Sequence, residues 1–293
     1  MFRCPYFFAG VALAAFAPSV AADTLLYQDK FQSNVIGPEW DFSGVHTGTA
    51  LIETTSPTAA SGLAPTNFLG EFGGAQTTDS AGHLQPTTGD VVKLKLTLPK
   101  NTAAVNLSFD LYLLRTWDGG IGGFAGPDVF GYGYNNGHTD TNLLSASFSN
   151  GAGDQSYCPG TTLTSCGPTF GSVLAAKNSL GFGVARDPQG PGPALEAPFS
   201  LLYHVPDTPD PIAYAGGGDI TFYFFSSGLQ VVPDNERPHV SPNAKVPAVA
   251  DESWGLGNIN VTYTLAVPEP ATWSLVLGGL ALLAPFAGRR LTK

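Results

Sequence analysis

The sequence predicts an all-β chain, an antiparallel β-sandwich of jelly-roll type, flanked by an N-terminal signal helix and a C-terminal single membrane helix. Three observations predict it. Apolar and polar residues alternate with period two through residues 92–98 and again through 105–113, as in strands that bury one face. The 36 glycines and 24 prolines punctuate apolar runs too short for ordinary helices, which favours many short strands in two packed layers. Both ends of the chain are apolar and carry basic residues.

At the N-terminus Arg3 precedes an apolar run over residues 6–16, then Pro18, the small residues Ser19-Val20-Ala21-Ala22 and the polar Asp23. This is the layout of a secretory signal peptide over residues 1–22, with cleavage by signal peptidase expected after Ala22. The apolar run is too short to cross roughly 30 Å of hydrocarbon as a stable helix.

In residues 92–98, Val92, Leu94, Leu96 and Leu98 share one face; in 105–113, Val105, Leu107, Phe109, Leu111 and Leu113 do the same. Pro99-Lys100-Asn101-Thr102 between them reads as a hairpin turn. Further strands are expected at 25–31, 129–134, 143–148, 180–184, 199–205, 220–226 and 259–265. No helical periodicity or internal repeat is evident. Residues 230–250 are proline-rich and read as a surface loop or strap. Cys4 leaves with the leader, so Cys158 and Cys166 remain as an even pair, and a disulfide in an oxidising compartment is expected. A metal pair fits less well, for no further Cys or clustered His accompanies them.

At the C-terminus Val267-Pro268-Glu269-Pro270-Ala271-Thr272-Trp273 leads into an apolar stretch that ends at Ala287, followed by Arg289, Arg290 and Lys293. The apolar residues from Trp273 to Ala287 would span about 22 Å as a helix, short of a bilayer unless the arginines snorkel. Lys and Arg beside a membrane segment stay cytoplasmic, which puts everything before Pro268 outside the cytoplasm. The order of motif, apolar segment and basic tail resembles the PEP-CTERM sorting signal. That resemblance implies an exosortase-type processing protease acting at or near Pro268, Glu269 and Pro270, transient residence in the inner membrane with Arg289 and Arg290 holding the tail, and delivery to the cell surface or exopolysaccharide matrix. The expected organisation is a signal peptide (1–22), one β domain (23–266) and a sorting tail (267–293).

Without Arg3, Arg289, Arg290, Lys293 and Glu269, the remaining chain has 22 acidic and 9 basic residues, a net charge of −13. Such a surface repels nucleic acid, which is excluded as a partner, and leaves divalent cations and neutral glycans open.

Two acidic clusters stand out as sites. The first is Trp117-Asp118-Gly119-Gly120 with Gly126-Pro127-Asp128; the second is Asp251-Glu252-Ser253-Trp254-Gly255-Leu256-Gly257-Asn258. Each is expected in a loop beside a strand. With Leu69-Gly70-Glu71-Phe72-Gly73 and Phe109-Asp110-Leu111-Tyr112 they resemble the motifs of a family of bacterial secreted jelly-roll domains. That family is similar to lectin-like and carbohydrate-binding jelly rolls, and the resemblance implies fold and location rather than chemistry. Gly257 and Thr116 depart from the family's acidic residue and serine.

Ca²⁺ requires six to eight oxygens converging at about 2.3 to 2.6 Å, which carboxylates and an amide on glycine-linked loops supply. Asp118, Asp128, Asp251, Glu252 and Asn258 are therefore the candidate Ca²⁺ ligands; the alternative is that these carboxylates cap turns through backbone N–H groups. Trp117 and Trp254 are candidates to stack on sugar rings of exopolysaccharide glycans, or else core residues. Enzymatic signatures are absent: there is no His-Glu-x-x-His, Gly-x-Ser-x-Gly or phosphate loop, and the five histidines lack metal-ligand spacing,. The expectation is a non-catalytic exported protein, with a glycan-degrading enzyme of the same fold or a purely structural biofilm protein as alternatives.

Overall fold

The computed structural model describes residues 22–266 except 46–50, 58–62, 79–83, 116, 121–126, 150–152, 159–160, 168–179, 181–200, 206–211, 215 and 230–251. The leader before Ala22, the apolar tail with Pro268, Glu269, Pro270, Arg289 and Arg290, the proline-rich strap, most of the strand expected at 180–184 and Asp251 all lie outside the described residues. Residues Asp23–Thr264 form one compact unit.

Among the described residues every regular element is a strand. In chain order they are β1 (Thr24–Asp29), β2 (Trp40–Gly44), β3 (Leu51–Thr54), β4 (Asn67–Phe72), β5 (Gly74–Thr78), β6 (Leu84–Gly89), β7 (Val91–Leu98), β8 (Thr102–Arg115), β9 (Val129–Asn135), β10 (Asp140–Ser147), β11 (Leu201–Val205), β12 (Ile212–Ala213), β13 (Gly218–Ser227) and β14 (Glu252–Leu265). One sheet runs β11-β8-β14-β4-β3, with β1 also on β14 and β12 also on β8; the other runs β10-β9-β13-β7-β2; β5 and β6 form a separate ribbon.

The two large sheets share one core. Leu107, Phe109 and Leu111 of β8 and Trp254 and Leu256 of β14 meet Leu94 of β7, Tyr132 of β9 and Phe222 and Phe224 of β13. Phe109 sits at the centre, edge-on to Tyr132 at 5.1 Å and to Phe224 at 5.2 Å. Alternation in β7 and β8 thus means what periodicity requires, one face inward.

The connection between these two strands differs from expectation. Asn101 takes a positive φ of 65° and the Thr102 N–H donates to the Pro99 carbonyl at 3.3 Å, so the turn is present. It is no hairpin, however: β7 pairs with β13 and β2, and β8 with β11, β14 and β12. Both strands carry a continuous apolar face, and opposing those faces across the core buries both, whereas pairing them side by side would need a further layer. The turn therefore carries the chain from one sheet to the other.

The outward face of β8 is also covered in part, where Tyr112 and Leu114 cluster with Phe68 and Leu180. On the other sheet, Gly133 of β9 lies opposite Tyr223 of β13. A Cβ at 133 would sit 2.5 Å from the Tyr223 hydroxyl, so glycine there lets the ring lie across the strand,.

Phe109→Ala should destabilise the domain by about 3 to 5 kcal/mol, since it empties a fully buried aromatic site,. Urea denaturation followed by tryptophan fluorescence measures this, and a loss below about 1 kcal/mol would mean that the sheets do not pack through this ring.

Candidate functional site

β14 begins earlier than its sequence suggests. The stretch 252–258 is strand rather than loop, and its inward row starts with Glu252, two residues ahead of the core residue Trp254. Strand alternation puts i and i+2 on one face, so a carboxylate ends an otherwise apolar row; Glu252 is 1% exposed.

Asp118 and Asp128 reach the same place from the connection between β8 and β9. Asp118 pairs as a bridge with Ser149, and its N–H donates to Asp128 Oδ2. The Asp128 N–H donates to the Gly119 carbonyl at 3.1 Å, and the Asp128 carbonyl accepts from the Phe148 N–H at 3.0 Å. Gly119 has φ 72° and backs onto the Asp154 carbonyl, where a Cβ would be 2.5 Å from that oxygen; glycine is what permits this turn. The Gly120 N–H then donates to Asp154 O at 2.6 Å. One oxygen each from Asp118, Asp128 and Glu252 lies within 4.8 Å of the other two.

Asp128 is wholly buried, and its Oδ1 has no hydrogen-bond partner. Burial pushes this carboxyl up to about 8, and the charge of Asp118 adds to the rise; the Asp118 and Gly119 amides and the Glu252 side chain oppose it. Two facing carboxylates cannot hydrogen-bond unless one holds a proton. Asp118 is partly exposed and gives the cluster its contact with solvent.

The neighbouring groups fix the cluster. The Trp117 indole N–H donates to the Ser253 carbonyl at 2.9 Å, which ties the β8–β9 connection to β14. The Ser253 hydroxyl donates to Glu71 Oε2 at 2.7 Å. Glu71 and Ser253 were not expected at the site; Glu71 stood within a motif, but nothing in its spacing paired it with Ser253. Cys158 and Cys166 form the expected disulfide, and Gln155 and Cys166 exchange both backbone hydrogen bonds, at 2.8 and 2.7 Å. The disulfide loop is thereby held beside the carboxylates through Ser149 and Asp154.

Of the five expected Ca²⁺ ligands the structure brings together three. Asn258 lies six residues along the strand from Glu252, about 20 Å at the usual rise. It adopts φ 46° and donates from Nδ2 to Asp110 Oδ2, while Asp110 Oδ1 lies 2.8 Å from His204 Nδ1. Asn258 therefore belongs to a different polar group, on the outer face of its sheet. Trp117 and Trp254 are both fully buried, Trp254 against Phe72 at 4.8 Å and Phe130 at 5.2 Å. Neither offers a ring face to a sugar, and the expectation of rim tryptophans is corrected to core packing.

The raised Asp128 carboxyl has a definite sign for stability. Its ordinary value is 3.8, so the folded state favours the protonated form; the contribution is complete below about pH 4 and is lost as pH rises through about 8. With chelator present, the melting temperature should fall between about pH 5 and pH 8, and Asp128→Asn should flatten that decline. Thermal melts across this range check it; equal slopes in both proteins would show that Asp128 is not the titrating group.

A search of curated proteins finds no match to the chain. The family described as the PEP-CTERM protein-sorting motif matches residues 266–291. The chain thus ends in a PEP-CTERM sorting motif, which marks it as an exported protein that is anchored at the membrane before processing by an exosortase.

Proposed function

We propose that the mature domain is a non-catalytic protein of the cell surface or exopolysaccharide matrix, a jelly roll that binds glycan and carries Ca²⁺ as a stiffening cofactor. The observation that carries this reading is the sorting motif at residues 266–291 behind a single compact β unit. The strand order supports the jelly roll. β4 pairs with β14, β7 with β13, β8 with β11 and β9 with β10, all antiparallel where their register is defined. First meets last and each inner pair nests within the outer one, as when a long two-stranded ribbon wraps around a core.

Burial argues against a glycosidase built on Asp128 and Glu252. A glycosidase sets two carboxylates on either side of an accessible bond, and Asp128 and Glu252, at 0% and 1% exposure, cannot reach one. For glycan, a cleft of about 520 Å³ lined by Asn136, His138, Tyr214 and Asp219 combines an aromatic ring with amide and carboxylate groups, the chemistry that sugars need.

Replacing Pro268, Glu269 and Pro270 by alanine should leave the unprocessed chain in the inner membrane and deplete it from the surface and matrix. Fractionation and immunoblotting read this out. Unchanged delivery would overturn the sorting reading, and release of reducing ends from a polysaccharide panel would overturn the non-catalytic one. For the glycan part, calorimetric titration with neutral oligosaccharides of the matrix should show binding that Tyr214→Ala abolishes; no heat with any of them would remove it.

A further inference from the structure

Three features of the carboxylate cluster point to a bound cation of a particular kind. The first is convergence: Asp118, Asp128 and Glu252 come from two distant stretches of chain, yet one oxygen of each lies within 4.8 Å of the others. Oxygens on a common ion can be separated by at most twice the ion–oxygen distance, roughly 4.6 to 5.2 Å for Ca²⁺ and roughly 4.2 Å for Mg²⁺. The three oxygens meet the condition for sharing one Ca²⁺,. The second is an independent one: Asp128 Oδ1 is buried without a partner, in a residue with no solvent exposure. A buried acceptor left in that state is unfavourable, and a cation among these oxygens satisfies it directly. The third is chemical, for the donors are all hard oxygens and the partly exposed Asp118 leaves room for water to complete six to eight ligands,.

The position of the cluster says what an ion would hold. Asp118 is paired with Ser149, Gly120 with Asp154 and Asp128 with Phe148, so the segment bearing two ligands is also the seat of the loop closed by Cys158 and Cys166. Glu252 opens β14, the strand at the middle of its sheet. An ion shared by Asp118, Asp128 and Glu252 joins that strand to the seat of the disulfide loop.

We propose that Asp118, Asp128 and Glu252 form a single Ca²⁺ site of the weak extracellular class, and that the ion locks the Cys158–Cys166 loop onto the end of the sandwich. This rests on the reading of the domain as an exported one with Ca²⁺ as cofactor. Half-saturation falls between about 0.1 and 1 mM, the range of extracellular modules, so the site fills once the chain has left the cytoplasm. The disulfide is favoured in the same compartment.

The test uses the full chain purified in detergent and stripped with chelator. Tb³⁺ is the probe, because Trp117 adjoins Asp118 and Trp254 lies two residues from Glu252, so indole excitation should sensitise Tb³⁺ emission. Ca²⁺ should displace the signal at sub-millimolar to millimolar concentration and Mg²⁺ at least tenfold less well. Ca²⁺ should also slow reduction of the Cys158–Cys166 disulfide by dithiothreitol about threefold or more. Asp128→Asn and Glu252→Gln should each weaken Tb³⁺ and Ca²⁺ binding at least tenfold and remove the protection of the disulfide, whereas the exposed Asp140→Asn should change neither. With two ligand variants, loss of folding in one leaves the other to decide, and a β-type circular dichroism spectrum certifies each protein.

If Ca²⁺ raises the melting temperature equally in the wild-type protein and both ligand variants, Ca²⁺ binds elsewhere and this site is wrong. If no cation binds the folded wild-type protein, both the site and the Ca²⁺ cofactor are wrong, while the sorting reading stands or falls on fractionation alone. Binding with unaltered disulfide reduction would overturn the lock.

Discussion

Pairing of β4 with β14 is the constraint on which the rest of the structure depends. Phe72 lies opposite Trp254 and Leu69 opposite Leu256, across more than 180 residues of intervening chain, and three residues of β4 span what two span on β14. This pairing closes the nested set of strand pairs, puts Trp254 and Leu256 into the common core, and brings Glu71 within reach of Ser253. Contacts so distant in sequence carry a large loop-closure entropy and form late unless a substantial apolar gain accompanies them. Here the gain is aromatic, since Phe72 and Trp254 pack at 4.8 Å and Trp254 meets Phe130 of the opposite sheet at 5.2 Å.

The same pairing creates the domain's main electrostatic tension. Because alternation fixes Glu252 to the face of Trp254, a charged group enters the end of the core together with the strand that completes it. Asp128 arrives there through backbone hydrogen bonds to Gly119 and Phe148, and its carboxylate accepts from the Asp118 N–H of the same loop. Backbone bonding therefore positions the carboxylates despite their repulsion. A proton or a cation can relieve that repulsion, and the wholly buried Asp128 oxygen is where the need is greatest.

Much of the fold was legible because a strand that buries one face must alternate. Residues 92–98, 105–113, 129–134 and 220–226 all lie within strands near their expected limits. β2 and β4 escaped notice for a physical reason: Trp40 is the only buried residue among the five of β2, and Phe68 to Phe72 are buried on both faces, so neither shows period two. The start of β14 was hidden likewise, since residues 252–257 are all buried. Leu256 and Ile259 both point inward although three apart, with Asn258 at φ 46° between them. That extra residue breaks the alternation and made a strand resemble a loop. Asn258 was grouped with the acids by closeness in sequence, yet along an extended strand six residues are a long distance.

The sequence by itself determined the all-β class, the disulfide pair, the acidic surface and the sorting motif at the end of the chain. Each of these depends on local order along the chain: period-two hydropathy, an even cysteine count, net charge and a short contiguous signal. Only the tertiary structure decided that β7 and β8 lie in different sheets, that Trp117 and Trp254 pack inside, and that Asp118, Asp128 and Glu252 meet while Asn258 pairs with Asp110. Those outcomes depend on which faces oppose each other across the core, and a one-dimensional pattern records which residues want burial but not which of them will share it.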